Sequence, residues 1–248
     1  MSAPSWLISR PIAHRGLHNR GIGVIENTIG AALAAVEHDF AIECDIQLTK
    51  DGEIIVFHDD ELERLTDGFG PVKNKTLLEI KSLNLRDTKE KIPTLTEFLD
   101  ALSSRVPLIC EIKSEFDQNP EPTKRCCDTV SLYQGPVAFK SFDPYCVGLV
   151  RDFLPTYPRG FIGESFYDDP EWNFLGVSKK KYLTSLSHLV DNNPDFLSWY
   201  QKDVEEIGPR LSREYTGLPL MTWTIRSAED GRRVSQYSDQ IVFENFRP

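Results

Sequence analysis

Titratable and charged residues gather at four places in the sequence where an apolar run ends. His14 and Arg15 follow Ile12-Ala13, Glu43 and Asp45 flank Cys44, His58 and Asp59 follow Ile54-Ile55-Val56-Phe57, and Glu111 and Lys113 flank Ile112. Residues two apart in an extended chain point to the same side, so Glu43 with Asp45, and Glu111 with Lys113, each share a face. Taken singly, each group is ordinary. An acid pair at this spacing is most often a solvated strand face, and an acid beside a lysine is most often a surface ion pair. Together the four supply complementary parts. Carboxylates sharing one pocket cannot all stay ionised without compensation. A hard divalent cation supplies it, and an oxygen-only ligand set without thiolate favours Mg²⁺ or Ca²⁺ over zinc. Glu43, Asp45 and Glu111 are its expected ligands. Arg15 and Lys113 add positive charge for a phosphate, and the guanidinium can bind two oxygens at once. Histidine as a residue type titrates near neutral pH, so His14 and His58 suit general acid and base. Which is which stays open.

Such parts need a frame that brings distant strand ends together. Strand candidates fall at residues 8–13, 40–48, 54–57, 107–112, 137–139, 160–162, 196–200, 219–224 and 240–243. Helical patterns lie between them at 27–37, 94–102, 144–153, 178–190, 204–215 and 227–237. Thr94 followed by Glu97 is a capping-box signature. Alternation of strand and helix implies a parallel sheet. The second and third candidates are joined by Asp51-Gly52, a hairpin-like turn. Eight parallel strands plus one short extra strand fit a (β/α)8 barrel of the TIM type, in which strand carboxyl ends carry the chemistry. An open doubly wound sheet competes, but Gly21-Ile22-Gly23 stops short of its glycine-rich phosphate loop. Residues 59–93 are polar, carry Asp67-Gly68 and Gly70-Pro71 turns, and break the rhythm. They read as a small insertion lying over the site, within one domain spanning 1–248.

The chain has 248 residues and a formal net charge of -10. A surface this acidic repels nucleic acid and anionic membranes, so neither is an expected partner. An anionic substrate then requires the site to reverse the sign locally. Five cysteines, odd in number and without a C-x-x-C pair, argue against a disulfide framework and a zinc site. Cys44 and Cys110 sit in apolar runs and read as small buried hydrophobes. The N-terminus lacks the pattern of a signal peptide, and no window has the apolar length of a membrane span. A cytoplasmic protein without stable membrane insertion is expected; the sequence leaves the oligomeric state open.

The residues resemble the glycerophosphodiester phosphodiesterase family. The matching segments run in family order: Ala13-His14-Arg15-Gly16, Glu26-Asn27-Thr28, Glu43-x-Asp45, Val56-x-His58-Asp59, Leu62-x-Arg64-x-Thr66-x-Gly68, Pro93-Thr94-Leu95-x-Glu97, Glu111-Ile112-Lys113, Ser141-Phe142-Asp143 and Trp223-Thr224. The resemblance implies hydrolysis of a small-molecule glycerophosphodiester to glycerol 3-phosphate and an alcohol. It implies a His14/His58 acid–base pair, Glu43, Asp45 and Glu111 on one divalent cation, and Arg15 and Lys113 on the phosphate. Glu26 and Asn27 would support the first-strand site, and Phe142 and Trp223 would form pocket wall or, equally, core. Two departures stand out. Ile25 occupies a position usually held by proline, and Glu244 replaces an aspartate at the end of the last strand, with its proline lost. A differently shaped last strand end is expected, bearing on substrate preference more than on chemistry. The rival readings are a lysophospholipase D-like lipid phosphodiesterase on the same barrel and a non-catalytic phosphate-binding barrel.

Overall fold

The computed structural model describes residues 3–248; the first two residues of the expected 1–248 domain, and of the N-terminal stretch read for a signal, lie outside the described residues. Eight parallel strands close into a barrel: β1 Ile12–Ala13, β2 Ala41–Leu48, β4 Leu108–Ile112, β5 Val137–Ser141, β6 Arg159–Gly163, β7 Phe196–Tyr200, β8 Leu220–Ile225 and β9 Gln240–Phe243. Closure occurs at β1, which pairs with β2 on one side and β9 on the other. The extra strand, β3 Ile54–Val56, returns antiparallel to β2.

Helices cover the outside: α1 Ile29–Glu37, α2 Leu77–Ser82, α3 Leu95–Leu102, α4 Glu121–Val130, α5 Pro144–Phe153, α6 Val177–Thr184, α7 His188–Asn192, α8 Ile207–Thr216 and α9 Ala228–Val234. Thr94 and Glu97 form the capping box at the start of α3. The largest apolar cluster lies between strands and helices and includes Cys44 and Cys110. A second cluster fills the barrel floor, with Ile12, Ala41, Ile109, Ala138, Phe196, Met221 and Val242. Gly160 makes room for that floor: a Cβ there would meet the Phe196 ring at 2.3 Å. Because strand side chains alternate, residues two further along the same strands stand one layer higher. On β2, β4 and β5 these are Glu43, Glu111 and Lys140, and just past the ends of β1 and β9 they are His14 and Glu244. An apolar floor therefore carries a polar storey at the carboxyl-terminal mouth.

Four local expectations change. The first strand is only Ile12–Ala13 and not 8–13, because a 3-10 turn at Ser5–Leu7 precedes it and Pro11 has no N–H for a ladder. The strand expected at 137–139 continues through Lys140 and Ser141. The helix expected at 178–190 is split in two around Leu186, whose φ is 55°. There the Ser185 hydroxyl accepts from the Ser187 amide and competes with the helical ladder. Helix α4 escaped the sequence reading because its buried face is Thr123, Cys126, Cys127 and Val130. The spacing is helical, but threonine and cysteine hide it. Residues 59–93 pack a cluster of their own, with Leu62, Leu65, Val72, Ile80, Leu85 and Ile92 against Ile55, Phe57 and Ile25. Ile25 is thus an anchor for this segment.

Candidate active site

The barrel mouth opens into a cleft of about 1330 Å³ whose lining includes His14, Arg15, Asp45, His58, Glu111, Lys113, Phe142 and Trp223. Residues far apart in sequence therefore converge. Glu43, Asp45 and Glu111 are buried, and each offers a ligand atom within 4.8 Å of the others. Strand register produces this: Asp45 lies opposite Glu111 across the β2–β4 pair.

Cations surround the acids. Lys113 Nζ stands 2.9 Å from Asp45 Oδ1 and 2.7 Å from Glu111 Oε1. Arg15 Nε lies 3.3 Å from Asp45 Oδ2. The Arg15 amide donates to Glu43 Oε2 at 3.1 Å, in a left-handed turn with φ of 56° at Arg15 and 80° at Gly16. Burial opposes ionisation of Asp45, yet the Lys113, His58 and Arg15 charges hold its carboxyl well below the usual range. Burial likewise opposes ionisation of Glu111, and the Lys113 and Lys140 charges bring it down to about 2. All three acids sit where a hard cation or fixed ammonium groups can compensate them. Asn27, held left-handed at φ 58°, donates to Asp45 Oδ2 at 2.8 Å and accepts from the Asp45 amide. It fixes that carboxylate's orientation.

Each histidine is gripped at Nδ1 by a carboxylate. His14 Nδ1 is 2.6 Å from Glu244 Oε2, and His58 Nδ1 is 2.8 Å from Asp59 Oδ1. Burial opposes ionisation of Glu244, but the His14 hydrogen bond, His18 at 3.7 Å and the Arg226 charge hold it far below the usual range. Burial also opposes ionisation of Asp59, and hydrogen bonds from His58 and Arg64 likewise hold it far below that range. Both carboxylates are therefore acceptors only, so each ring donates from Nδ1 and keeps Nε2 free to take up or give a second proton. His14 Nε2 lies 4.0 Å from Glu43 Oε2, beside the acid triad.

Arg64 ties the His58 side together. It binds both oxygens of Asp59, at 2.5 and 2.8 Å, and both oxygens of Glu26, at 2.9 and 2.8 Å. Glu26 in turn accepts from Arg15 at 2.5 Å. Burial pushes the Glu26 carboxyl up, but Arg64 and Arg15 outweigh it and hold it down to about 2. Gln47 donates to the carbonyls of Phe57 and Asp59, which pins the turn carrying His58. Phe142 and Trp223 meet edge-on at 5.5 Å, and Trp172 packs on Phe142 at 4.8 Å. Both half-buried rings line the cleft as wall.

His14, Arg15, Asp45, His58, Glu111, Lys113, Phe142 and Trp223 line the cleft, Glu43 joins Asp45 and Glu111 in the acid cluster, and Glu26 and Asn27 contact Arg15 and Asp45 from behind. Sequence reasoning missed Glu244 and Lys140 as site residues and gave Asp59 and Arg64 no role. Asp59 had a visible signal, being adjacent to His58. Glu244 had one only as a departure from the family pattern. Its longer side chain spans from the end of β9 to His14, and its amide still donates to the Ile225 carbonyl at 3.0 Å. Lys140 had no local signal; only its register opposite Glu111 reveals it.

The model of the Glycerophosphoryl diester phosphodiesterase family matches residues 14–246. A glycerophosphodiester phosphodiesterase from Caldanaerobacter subterraneus subsp. tengcongensis is 31% identical over 234 residues, which cover 90% of this chain and 88% of that protein. Bacillus subtilis YhdW, provisionally given the same name, is 40% identical over 93% of this chain and 96% of its own length. Among solved structures, a phosphodiesterase of Oleispira antarctica in complex with the product sn-glycerol-3-phosphate superposes with a TM-score of 0.77 at 23% identity. The match covers 96% of this chain and 93% of that one. A glycerophosphodiester phosphodiesterase of Thermotoga maritima gives 0.69 at 23% identity, over 94% and 92% of the two chains. At such identities the structures speak to the fold, which they share.

Proposed function

The chain belongs to the glycerophosphoryl diester phosphodiesterase family and is a phosphoric diester hydrolase; from that premise we propose that it cleaves glycerophosphodiesters to glycerol 3-phosphate and an alcohol, with His14 and His58 as the acid–base pair. One observation carries this: two imidazoles, each oriented through Nδ1 by its own carboxylate, flank one cleft with three buried acids at its base. We read residues 1–248 as one barrel domain with 59–93 as its insertion.

Arg15 and Lys113 bind and orient the phosphate, which answers the demand for a local reversal of charge in a chain with net charge -10. One imidazole takes a proton at Nε2 from the nucleophile, and the other gives one from Nε2 to the leaving oxygen. The nucleophile is a water or the substrate's own 2-hydroxyl. The donor set fits a divalent cation, Mg²⁺ or Ca²⁺: three buried carboxylates, and a Glu43 Oε1 that accepts no directed hydrogen bond. When bound, it supplies Lewis-acid polarisation of a phosphoryl oxygen. Glu26 and Asn27 hold Arg15 and Asp45 in place, and Phe142 and Trp223 exclude water from one side. Five free, buried cysteines suit a reducing compartment and support placing the enzyme in the cytoplasm. Among the described residues no helix is long and apolar enough to cross a membrane.

The test is turnover of glycerophosphocholine beside lysophosphatidylcholine, before and after chelation and with Mg²⁺ or Ca²⁺ returned. We expect glycerol 3-phosphate from the first substrate, silence in EDTA, and recovery with one cation. Preference for the lipid would transfer the enzyme to the lysophospholipase class. Turnover surviving thorough chelation would remove the cation.

A further inference from the structure

Two lysines border the acid triad, and they differ in their freedom to leave it. Lys113 has a side chain 25% exposed and reaches Asp45 and Glu111 from the cleft side. It can turn outward to solvent or phosphate. Lys140 has a side chain only 3% exposed, with Nζ 3.0 Å from Glu43 Oε1 and 3.2 Å from Glu111 Oε2. It rises from β5 immediately above Ala138 of the apolar floor, in register with Glu111. Retreat would carry an ammonium into hydrocarbon, at a high desolvation cost. Its approach to Glu43 Oε1 lacks the direction of a hydrogen bond. Lys140 thus contributes a fixed positive charge between two of the three carboxylates. With Arg15 it makes three cations against three carboxylates around the triad.

We propose that Lys140 is a resident counter-charge that sets the cation affinity of the Glu43/Asp45/Glu111 site: it keeps the acids compensated when no divalent ion is bound and weakens the ion's hold when one is. This deepens the functional reading above and rests on it. An arriving cation displaces Lys113 from the carboxylates but must share them with Lys140. Two positive charges at such separations in a partly desolvated site repel strongly, so removing one tightens the other.

The experiment is calorimetric titration of Mg²⁺ and of Ca²⁺ into chelator-treated wild type, Lys140→Gln and Lys140→Arg. We expect Lys140→Gln to bind at least about tenfold more tightly, and Lys140→Arg to stay within about threefold of wild type. Equal or weaker binding in Lys140→Gln overturns the proposal while leaving the cation reading intact. A wild type that binds neither ion removes that reading and the proposal with it. Should Lys140→Gln fold only when loaded, its Ca²⁺ release to excess chelator, followed by an indicator dye, replaces the titration. Release slower than wild type supports the proposal; equal or faster release overturns it.

Discussion

His14 and His58 are held by the same device, built from very different stretches of chain. His58 takes its carboxylate from the next residue, Asp59, and its side chain is 32% exposed. His14 takes its carboxylate from Glu244, 230 residues away, and its side chain is 12% exposed. The first pair is a local turn braced by Arg64 and Gln47. The second exists only because β9 closes the barrel against β1. Burial separates the two in energetic terms. Water can replace a lost partner at the open ring, whereas at the enclosed ring a lost partner leaves a donor without one.

The largest expected effect tests whether the two rings act as equals. His14→Ala and His58→Ala should each lower turnover about 10²–10⁴-fold, measured as steady-state release of glycerol 3-phosphate. Near-normal turnover in either variant refutes the pairing. A smaller effect separates the two grips. Glu244→Gln and Asp59→Asn each weaken a charge-assisted hydrogen bond, worth about 10–100-fold in rate. The enclosed Glu244 should sit at the upper end of that range and Asp59 at the lower. The reverse order in kcat would mean that exposure does not govern how much each grip matters. The smallest effect concerns stability on the His58 side. Glu26 titrates at about 2 in the folded protein against an ordinary 4.5. A depressed carboxyl stabilises fully above its unfolded pKa, and this is lost as pH falls through the folded one. The stability gap between wild type and Glu26→Gln should therefore be widest above about pH 4.5 and shrink toward pH 2. Denaturant unfolding at several pH values checks this, and a constant gap would contradict it.

The same contrast explains what could be read from the sequence. Strands announce themselves through short apolar runs, and the polar residues at their ends mark a barrel mouth, so His14, Glu43, Asp45, His58, Glu111 and Lys113 were visible one by one. Asp59 is visible for the same reason, as a neighbour of His58. Glu244 and Lys140 depend on which strands lie side by side, and nothing local records that. Lys140 looked like the residue after a strand until β5 proved two residues longer. Helix α4 was lost because cysteine and threonine, not leucine, fill its inner face.

Closure of the barrel between β1 and β9 also has a consequence for the order in which the enzyme comes into being. During synthesis, residue 14 leaves the ribosome before the acids on β2 and β4, and residues 240–244 follow all of them. The ring at position 14 must wait until position 244 has emerged and Gln240–Phe243 has docked. A chain that has not yet formed β9 therefore carries the three acids and both imidazoles without the contact that orients His14, and that orientation arrives only with β9.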